Sequence, residues 1–410
     1  MSTRLALLFA GGPAPAANAV LNAAAMTLRR AGVEVLGIRD GYAALQSYDA
    51  VSRPLVEGKD WFVFRDEHLR GLRNDRGVLI GTSRAHPGRG IRSAEDLADP
   101  ERSAGLKRVW DGLRSLGVTG LMSIGGDGTL RTANMLLRWQ ELTTPEAERV
   151  AVVHVPKTID NDYRGIDFTF GFFTAVDTIA GELLNLRADA LATSSWFVVE
   201  CMGRRAGWLS YGVAIAGEAH LVVGVEDIDA ELTDADGALD LDRLVDRIVG
   251  VMASREARGK AYGTVVLAEG LVERLGPRFF DTLPKDTDGN VYGLGSVQLG
   301  RLVAQRCAAR YRERFGRDRK VTGVQLGYES RCAVPHAFDV VLGCQLGAGA
   351  AKALLRGQTG VMVSASGAME LRYVPFQEIV DPVTLTTEVR YVPRDSDFRA
   401  LAHALGTRRG

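Results

Sequence analysis

Short apolar runs alternate with stretches of helical period along most of the chain. RLALLFA (residues 4–10) gives way to the glycine-rich GGPAPA, then to ANAVLNAAAMTLRRAG, an alanine-rich helix expected to end at Gly32. VEVLGI follows as a second strand and leads into the turn RDGYAAL. GLMSI (120–124) runs into GGDGT and the helix LRTANMLLRWQEL, and RVAVVHV runs into PKTIDND. GFFTAVDTIAGELLNL places Phe172, Phe173, Val176, Ile179, Ala180 and Leu183 on one helical face. WFVVECMG, HLVVGVE and GTVVLAEG supply three more strands of the buried type. This alternation predicts an α/β protein with parallel, doubly wound sheets and helices on both faces. Ligands of such sheets sit at the carboxyl ends of strands, where each glycine-rich turn falls.

A length of 410 residues is too great for one small core and predicts two domains. Fifty basic and fifty acidic residues cancel, so no nucleic-acid or membrane surface is expected and any bound anion needs a local site. Cys201, Cys307, Cys332 and Cys344 show no metal-ligand spacing and read as free thiols of a reducing cytosol. The opening MSTRLALLFAGG has no cleavage signature and reads as a first strand. No segment approaches 18 uninterrupted apolar residues, so no membrane span is expected. Two regions look like elaborations, 227–247 and 272–318. TDADG in the first and KDTDGN in the second lack the complete twelve-residue calcium pattern. The first is expected to lead into a helix and the second to form a hairpin turn.

The turns carry the chemistry. A strand ending in glycines lets the backbone approach a ligand, and a helix starting there aims free N–H groups at an anion. In GGDGT, Asp127 would repel a phosphate unless a cation lay between them, which makes it a candidate magnesium ligand, while Gly128 leaves room for a nucleotide tail. The bland alternative is an N-capping aspartate. In PKTIDND, Thr158 offers a hydroxyl, Lys157 counters charge on a transferring phosphoryl group, and Asp160 and Asp162 are set two apart. One of the two can take a proton while the other places the metal or orients the loop; the same residues also suit a capped turn with a solvated lysine. Arg204 follows the pair Met202-Gly203 and can reach a phosphate bidentately, and Tyr328 and Arg331 stand three apart in GYESRC.

The series GGPAPAANAVL, IRDGYAAL, IGGDGT, PKTIDND…GFFTA, VVECMGRRAGW and LGYESRC resembles the 6-phosphofructokinases, in order over roughly residues 4–380. The resemblance implies two α/β domains with the active site in the cleft between them. It assigns 1–170 plus about 332–382 to the phosphoryl donor and about 171–331 plus 383–410 to the sugar phosphate. It further implies Mg²⁺-dependent, in-line phosphoryl transfer to the 1-hydroxyl of fructose 6-phosphate, in a cytoplasmic homodimer or homotetramer. Asp160 would be the general base, with Thr158, Ile159 and Asp162 around the reacting centre and Lys157 assisting. Asp127 would serve the metal, and Gly12, Arg84 and residues Gly126, Asp127, Gly128 and Thr129 would line the donor side, with Tyr42 near an adenine. Met202, Gly203 and Arg204 would form the sugar-phosphate loop, Glu226 would bind sugar hydroxyls, and Tyr328 and Arg331 would hold the 6-phosphate.

Some positions depart from the family. Ala16 stands where glycine is usual, and Asn22 and Met26 replace effector-binding arginines of the first helix. Ser195 and Thr322 replace arginines that reach a neighbouring subunit, with Arg319 or Lys320 as stand-ins for the second. The donor positions disagree with each other. Gly128 points to ATP, because pyrophosphate users carry an aspartate there that crowds the α-phosphate, whereas Lys157 is the pyrophosphate-type residue. A side chain at 128 excludes a nucleotide by its bulk and a lysine at 157 does not, so Gly128 weighs more and pyrophosphate is the alternative. NAD kinases and lipid kinases share GGDGT but do not combine it with PKTIDND and MGRRAGW. A non-catalytic sugar-phosphate sensor would not be expected to keep Asp127, Asp160 and Arg204 together.

Overall fold

The structure is a computed structural model, and it describes residues 3–276, 279–280 and 297–407. The hairpin turn expected at KDTDGN lies outside the described residues. Along the chain the strands are β1 Arg4–Ala10, β2 Glu34–Ile38, β3 Trp61–Val63, β4 Val118–Gly125, β5 Ala151–Pro156 and β6 Trp196–Cys201. They continue with β7 Leu221–Val223, β8 Gly263–Ala268, β9 Val321–Leu326, β10 Val361–Ser366 and β11 Glu370–Pro375. Two compact units divide them: Met1–Ile159, Tyr163–Thr174 and Arg331–Val389 make the first, and Asp160–Asp162, Ala175–Ser330 and Arg390–Gly410 the second.

The first unit carries a seven-stranded sheet in the order β11-β10-β5-β4-β1-β2-β3. Its five inner strands run parallel, and antiparallel β11 and β3 close the edges. The inner strands read as unbroken apolar runs because helices cover both faces: Leu7, Leu8 and Phe9 have no exposed surface. In register, Ala10 pairs Gly125 and Gly125 pairs Pro156. That alignment starts the turns after β1, β4 and β5 side by side, on either side of the point where the winding reverses between β1 and β4.

Helix Ala17–Arg30 lies against helix Ala337–Leu355 through two glycines of the latter. A Cβ on Gly347 would stand 2.3 Å from the Val20 carbonyl oxygen and one on Gly343 3.2 Å from that of Ala16. Among the described residues, Ala337–Leu355 is also the one helix long and apolar enough to cross a membrane by length and composition, and this packing accounts for its small, apolar face. The departure at Ala16 acquires a physical meaning here. Ala16 has φ 64° and is buried, the left-handed backbone that glycine adopts freely and that costs alanine about 1–2 kcal/mol.

The second unit carries a wholly parallel sheet, β7-β8-β6-β9. Its core joins Trp196, Val198, Val265 and Leu267 of the sheet to Leu244, Ile248, Val249 and Met252 of helix Leu241–Glu256, and to Leu299 and Val303 of helix Leu299–Phe315. The acidic 227–247 region leads into the first of these helices, which Asp240 caps by accepting from the Asp242 and Arg243 N–H groups at 2.9 and 3.2 Å. In TDADG, Asp234 closes a local turn by accepting from Asp236 and Ala238. In helix Phe172–Thr193, Phe172, Ile179, Ala180 and Leu183 are buried, but Phe173 and Val176 lie at the rim. Phe173 instead packs on Phe168 and Phe338.

Candidate functional site

In the first unit the aligned turns enclose a cavity of about 280 Å³, bordered by Gly11 and Gly12 after β1, by residues 126–129 after β4, and by Lys157 after β5. Gly11 takes φ 89°, donates its N–H to the Ser83 carbonyl at 2.9 Å and accepts from the Thr82 hydroxyl at 2.6 Å. These bonds fasten the turn to the segment that carries Arg84. Gly126 is the N-cap of helix Asp127–Thr143, so the amide groups of its first turn border the cavity, as anion binding requires. The Asp127 carboxylate is exposed and accepts from the Gly128 N–H at 2.7 Å. Gly128 is helical with ordinary dihedrals, and a Cβ added to it would meet nothing within 4 Å. Neither backbone strain nor packing within the protein asks for glycine at that position.

Lys157 is 8% exposed, and its ammonium is directed between the turns. Cβ atoms built on Gly11 and Gly126 would stand 3.7 and 3.8 Å from Lys157 Nζ. The Lys157 N–H and the Tyr163 hydroxyl both donate to the Gly125 carbonyl, at 2.9 and 3.0 Å, so the residue before the glycine turn is pinned from β5. The Tyr163 hydroxyl also meets His154 Nε2 at 3.2 Å, and burial pushes His154 down to about 3. Tyr42 is only 1% exposed, with its hydroxyl 3.3 Å from that of Ser123 and its pKa pushed up by burial to about 12. It floors the cavity and presents little ring surface for stacking. Arg331 comes to the first unit, with its Nη1 3.7 Å from where a Gly12 Cβ would be. The sequence reading passed over Ser83, His86 and Thr132, which also line the cavity. His86 is pushed below its usual value, by burial first and then by Arg131 and Arg89.

In the second unit the register pairs Cys201 with both Ala268 and Leu326, so Met202, Glu269 and Gly327 leave three adjacent strand ends together. Met202 is buried against Gly327, where a Cβ would stand 2.2 Å from its Cγ. Gly203 has φ 122° and accepts from the Gly270 N–H at 3.2 Å. Arg204 projects outward and pairs with Glu273. Tyr328 is 64% exposed. Burial pushes the Cys201 thiol well above its usual range, and the charges of Asp160, Glu329 and Glu269 push it further.

Glu226 is held by main-chain bonds. It is 7% exposed and accepts from the Gly207 N–H at 3.0 and 3.1 Å and from the Val392 N–H at 2.9 Å. Burial pushes its pKa up. By register Glu269 follows the end of the strand beside Met202, while the carboxylate paired with Arg204 is Glu273. VVGVE and VVLAEG look alike in sequence, and only strand register separates their glutamates. Asp227 next door is pushed up by burial, but His403, the Gly224 N–H and Arg399 outweigh this and hold it below the usual range. Among the described residues no group of three or more His, Cys, Asp or Glu side chains is arranged to hold a metal.

Three of the positions singled out have ordinary local partners. Asn22 donates to the Leu69 carbonyl at 2.8 Å, Ser195 is buried with its hydroxyl 2.7 Å from that of Thr193, and Arg319 pairs with Glu256.

The Phosphofructokinase family profile matches residues 4–354. A pyrophosphate–fructose 6-phosphate 1-phosphotransferase of Thermotoga maritima is 32% identical over 412 residues, covering 97% of this chain and 89% of that protein. An ATP-dependent 6-phosphofructokinase of Corynebacterium efficiens is 30% identical over 396 residues, covering 96% and 99%. Among solved structures, that of phosphofructokinase from Saccharomyces cerevisiae superposes with a TM-score of 0.68 at 25% identity over 92% of this chain. This chain spans 45% of that yeast chain's length.

Proposed function

Because the chain belongs to the phosphofructokinase family, we infer that it transfers the terminal phosphoryl group of ATP to the 1-hydroxyl of fructose 6-phosphate. The observation that carries the choice of donor is the open space at Gly128, on the border of the turn cavity. A glycine that neither backbone nor packing demands leaves room for the nucleotide beyond the phosphates. The first unit, with Gly12, Arg84 and the turn Gly126, Asp127, Gly128 and Thr129, holds the donor. The second, with Met202, Gly203, Arg204 and Glu269, holds the sugar phosphate, and Tyr328 and Arg331 receive its 6-phosphate.

Asp160 takes the proton of the 1-hydroxyl as the oxygen attacks the phosphoryl group, and Thr158, Ile159 and Asp162 line the reacting centre. Lys157 and Arg204 balance the charge that spreads over the phosphoryl oxygens. Mg²⁺ fits a site with a single carboxylate, because it keeps several waters and takes its other oxygens from phosphates. Asp127 would hold it, and it would neutralise charge on the donor. As in the family, the working form is a homodimer or homotetramer, and four free cysteines suit a reducing cytoplasm.

Lys157 favours a second reading, with pyrophosphate as donor, and the Thermotoga maritima relative bears that activity in its name. Initial rates with fructose 6-phosphate and Mg²⁺, with ATP or pyrophosphate at matched concentration, test the two. Turnover with ATP is expected. Turnover with pyrophosphate alone would replace the first reading by the second, and none with either would remove both.

A further inference from the structure

The loop that carries Asp160 belongs to the second unit, and it contains a strained residue. Asn161 has no exposed surface and takes φ 53°, a left-handed backbone. Such a conformation costs about 1–3 kcal/mol and persists where the surroundings over-determine it. One determinant comes from the far end of the chain. Arg390 donates its main-chain N–H to the Asp162 carbonyl at 2.9 Å and its Nη2 to the Asn161 carbonyl at 3.0 Å. Its guanidinium lies over the Trp208 ring, 4.6 Å from the centroid, and the Trp208 indole N–H donates back to the Arg390 carbonyl at 2.9 Å. Two residues on, Val392 donates to Glu226 at 2.9 Å, and Glu226 also accepts from Gly207, at the start of the helix that follows Arg204. The segment 390–392 therefore bonds both to the Asp160–Asp162 loop and to the residues after Met202-Gly203-Arg204.

We propose that Arg390 is a positioning residue of the phosphoryl-transfer site. It holds the left-handed turn at Asn161, so Asp160 leaves that turn in one direction, and it sets this turn against the loop bearing Arg204. A guanidinium suits the task, since a planar fork can donate to a carbonyl while its face rests on an indole. The proposal rests on the phosphofructokinase reading for the role of Asp160, but the bonds it invokes do not.

The test uses the full-length enzyme in two readouts. In Arg390→Met the main-chain bond to Asp162 survives and the side-chain bond to Asn161 is lost. We expect kcat to fall about 10- to 100-fold, as a misplaced catalytic group costs, with KM for the donor unchanged. Arg390→Lys, which keeps an N–H donor for the Asn161 carbonyl but not the planar fork, should recover part of the loss, and Trp208→Phe should show a smaller fall in kcat. Wild-type kcat in Arg390→Met would overturn the proposal. So would a lowered Tm in Arg390→Met together with no recovery of kcat in Arg390→Lys. If Arg390→Met does not fold, wild-type kcat in both Arg390→Lys and Trp208→Phe would overturn it. Amide hydrogen exchange over residues 158–163 is read in parallel and needs no substrate. Faster exchange there in Arg390→Met is expected and unchanged exchange overturns the proposal. A wild-type protein inactive on fructose 6-phosphate would sink the functional reading, while the exchange experiment would still decide the role of Arg390.

Discussion

The two units build their sites by different means. In the first, Gly11, Gly126 and Lys157 each follow directly on a strand, and the register of Ala10, Gly125 and Pro156 is enough to bring them together. In the second, β6, β8 and β9 align Met202, Glu269 and Gly327 in the same way, but the loop at 160–162 is fixed by Arg390, across 229 residues of chain. A site made of strand ends is written locally. A site completed by a distant strap is not.

The sharpest way to break this comparison is at Asp160. Asp160→Asn keeps the shape of the side chain and removes the base, so kcat should fall by about 10²–10⁴-fold with little change in Tm. A variant with wild-type turnover would remove the base from the account while leaving the family membership intact.

The two glutamates of the second unit give the next largest effect, and they should separate cleanly. Glu269→Gln should raise KM for fructose 6-phosphate about 10-fold or more, the worth of one hydrogen bond to a charged group, at unchanged Tm. Glu226→Gln should instead destabilise the fold by about 1–3 kcal/mol, because the Gly207 and Val392 N–H groups lose a charged acceptor. Denaturant midpoints and Michaelis curves for both variants check the assignment, and the opposite pattern would return the sugar hydroxyls to Glu226.

A further effect is one that each unit should show alike. Burial holds His154 in the first and His220 in the second at about 3, below the usual 6.5 of a histidine. The unfolded chain therefore takes up these protons near pH 6.5 while the folded chain refuses them until near pH 3. Stability from both groups is fully present above pH 6.5 and declines as pH falls, by up to about 1.4 kcal/mol per pH unit for each. Urea midpoints from pH 7.5 to 5 should drop accordingly, and His154→Gln should flatten the slope. A profile level over that range would contradict the buried, neutral histidines.

Much of the first unit was legible because parallel strands are read from unbroken apolar runs and turns from glycine. Even the oddity at Ala16 was visible as a missing glycine, and its φ of 64° supplies the reason. A helical period places Phe173 and Val176 on the apolar face but does not say how much of that face is covered. Glu269 does not stand out in the sequence, because two strands end in a glutamate and only the register tells which one follows the strand beside Gly203. Arg390 lies in no motif, and its importance comes from where the chain returns.

The most direct measurement compares kcat/KM for ATP and for pyrophosphate in the wild type and in Gly128→Asp. The added carboxylate meets no protein atom within 4 Å at its Cβ, so the fold should survive and only the donor should feel it. The wild type should prefer ATP, and the variant should lose ATP turnover by about 100-fold or more, as like charges and bulk meet the α-phosphate, while pyrophosphate turnover persists. A wild type that prefers pyrophosphate, or a variant that still uses ATP as well as the parent, would contradict the claim that the space at Gly128 decides the donor.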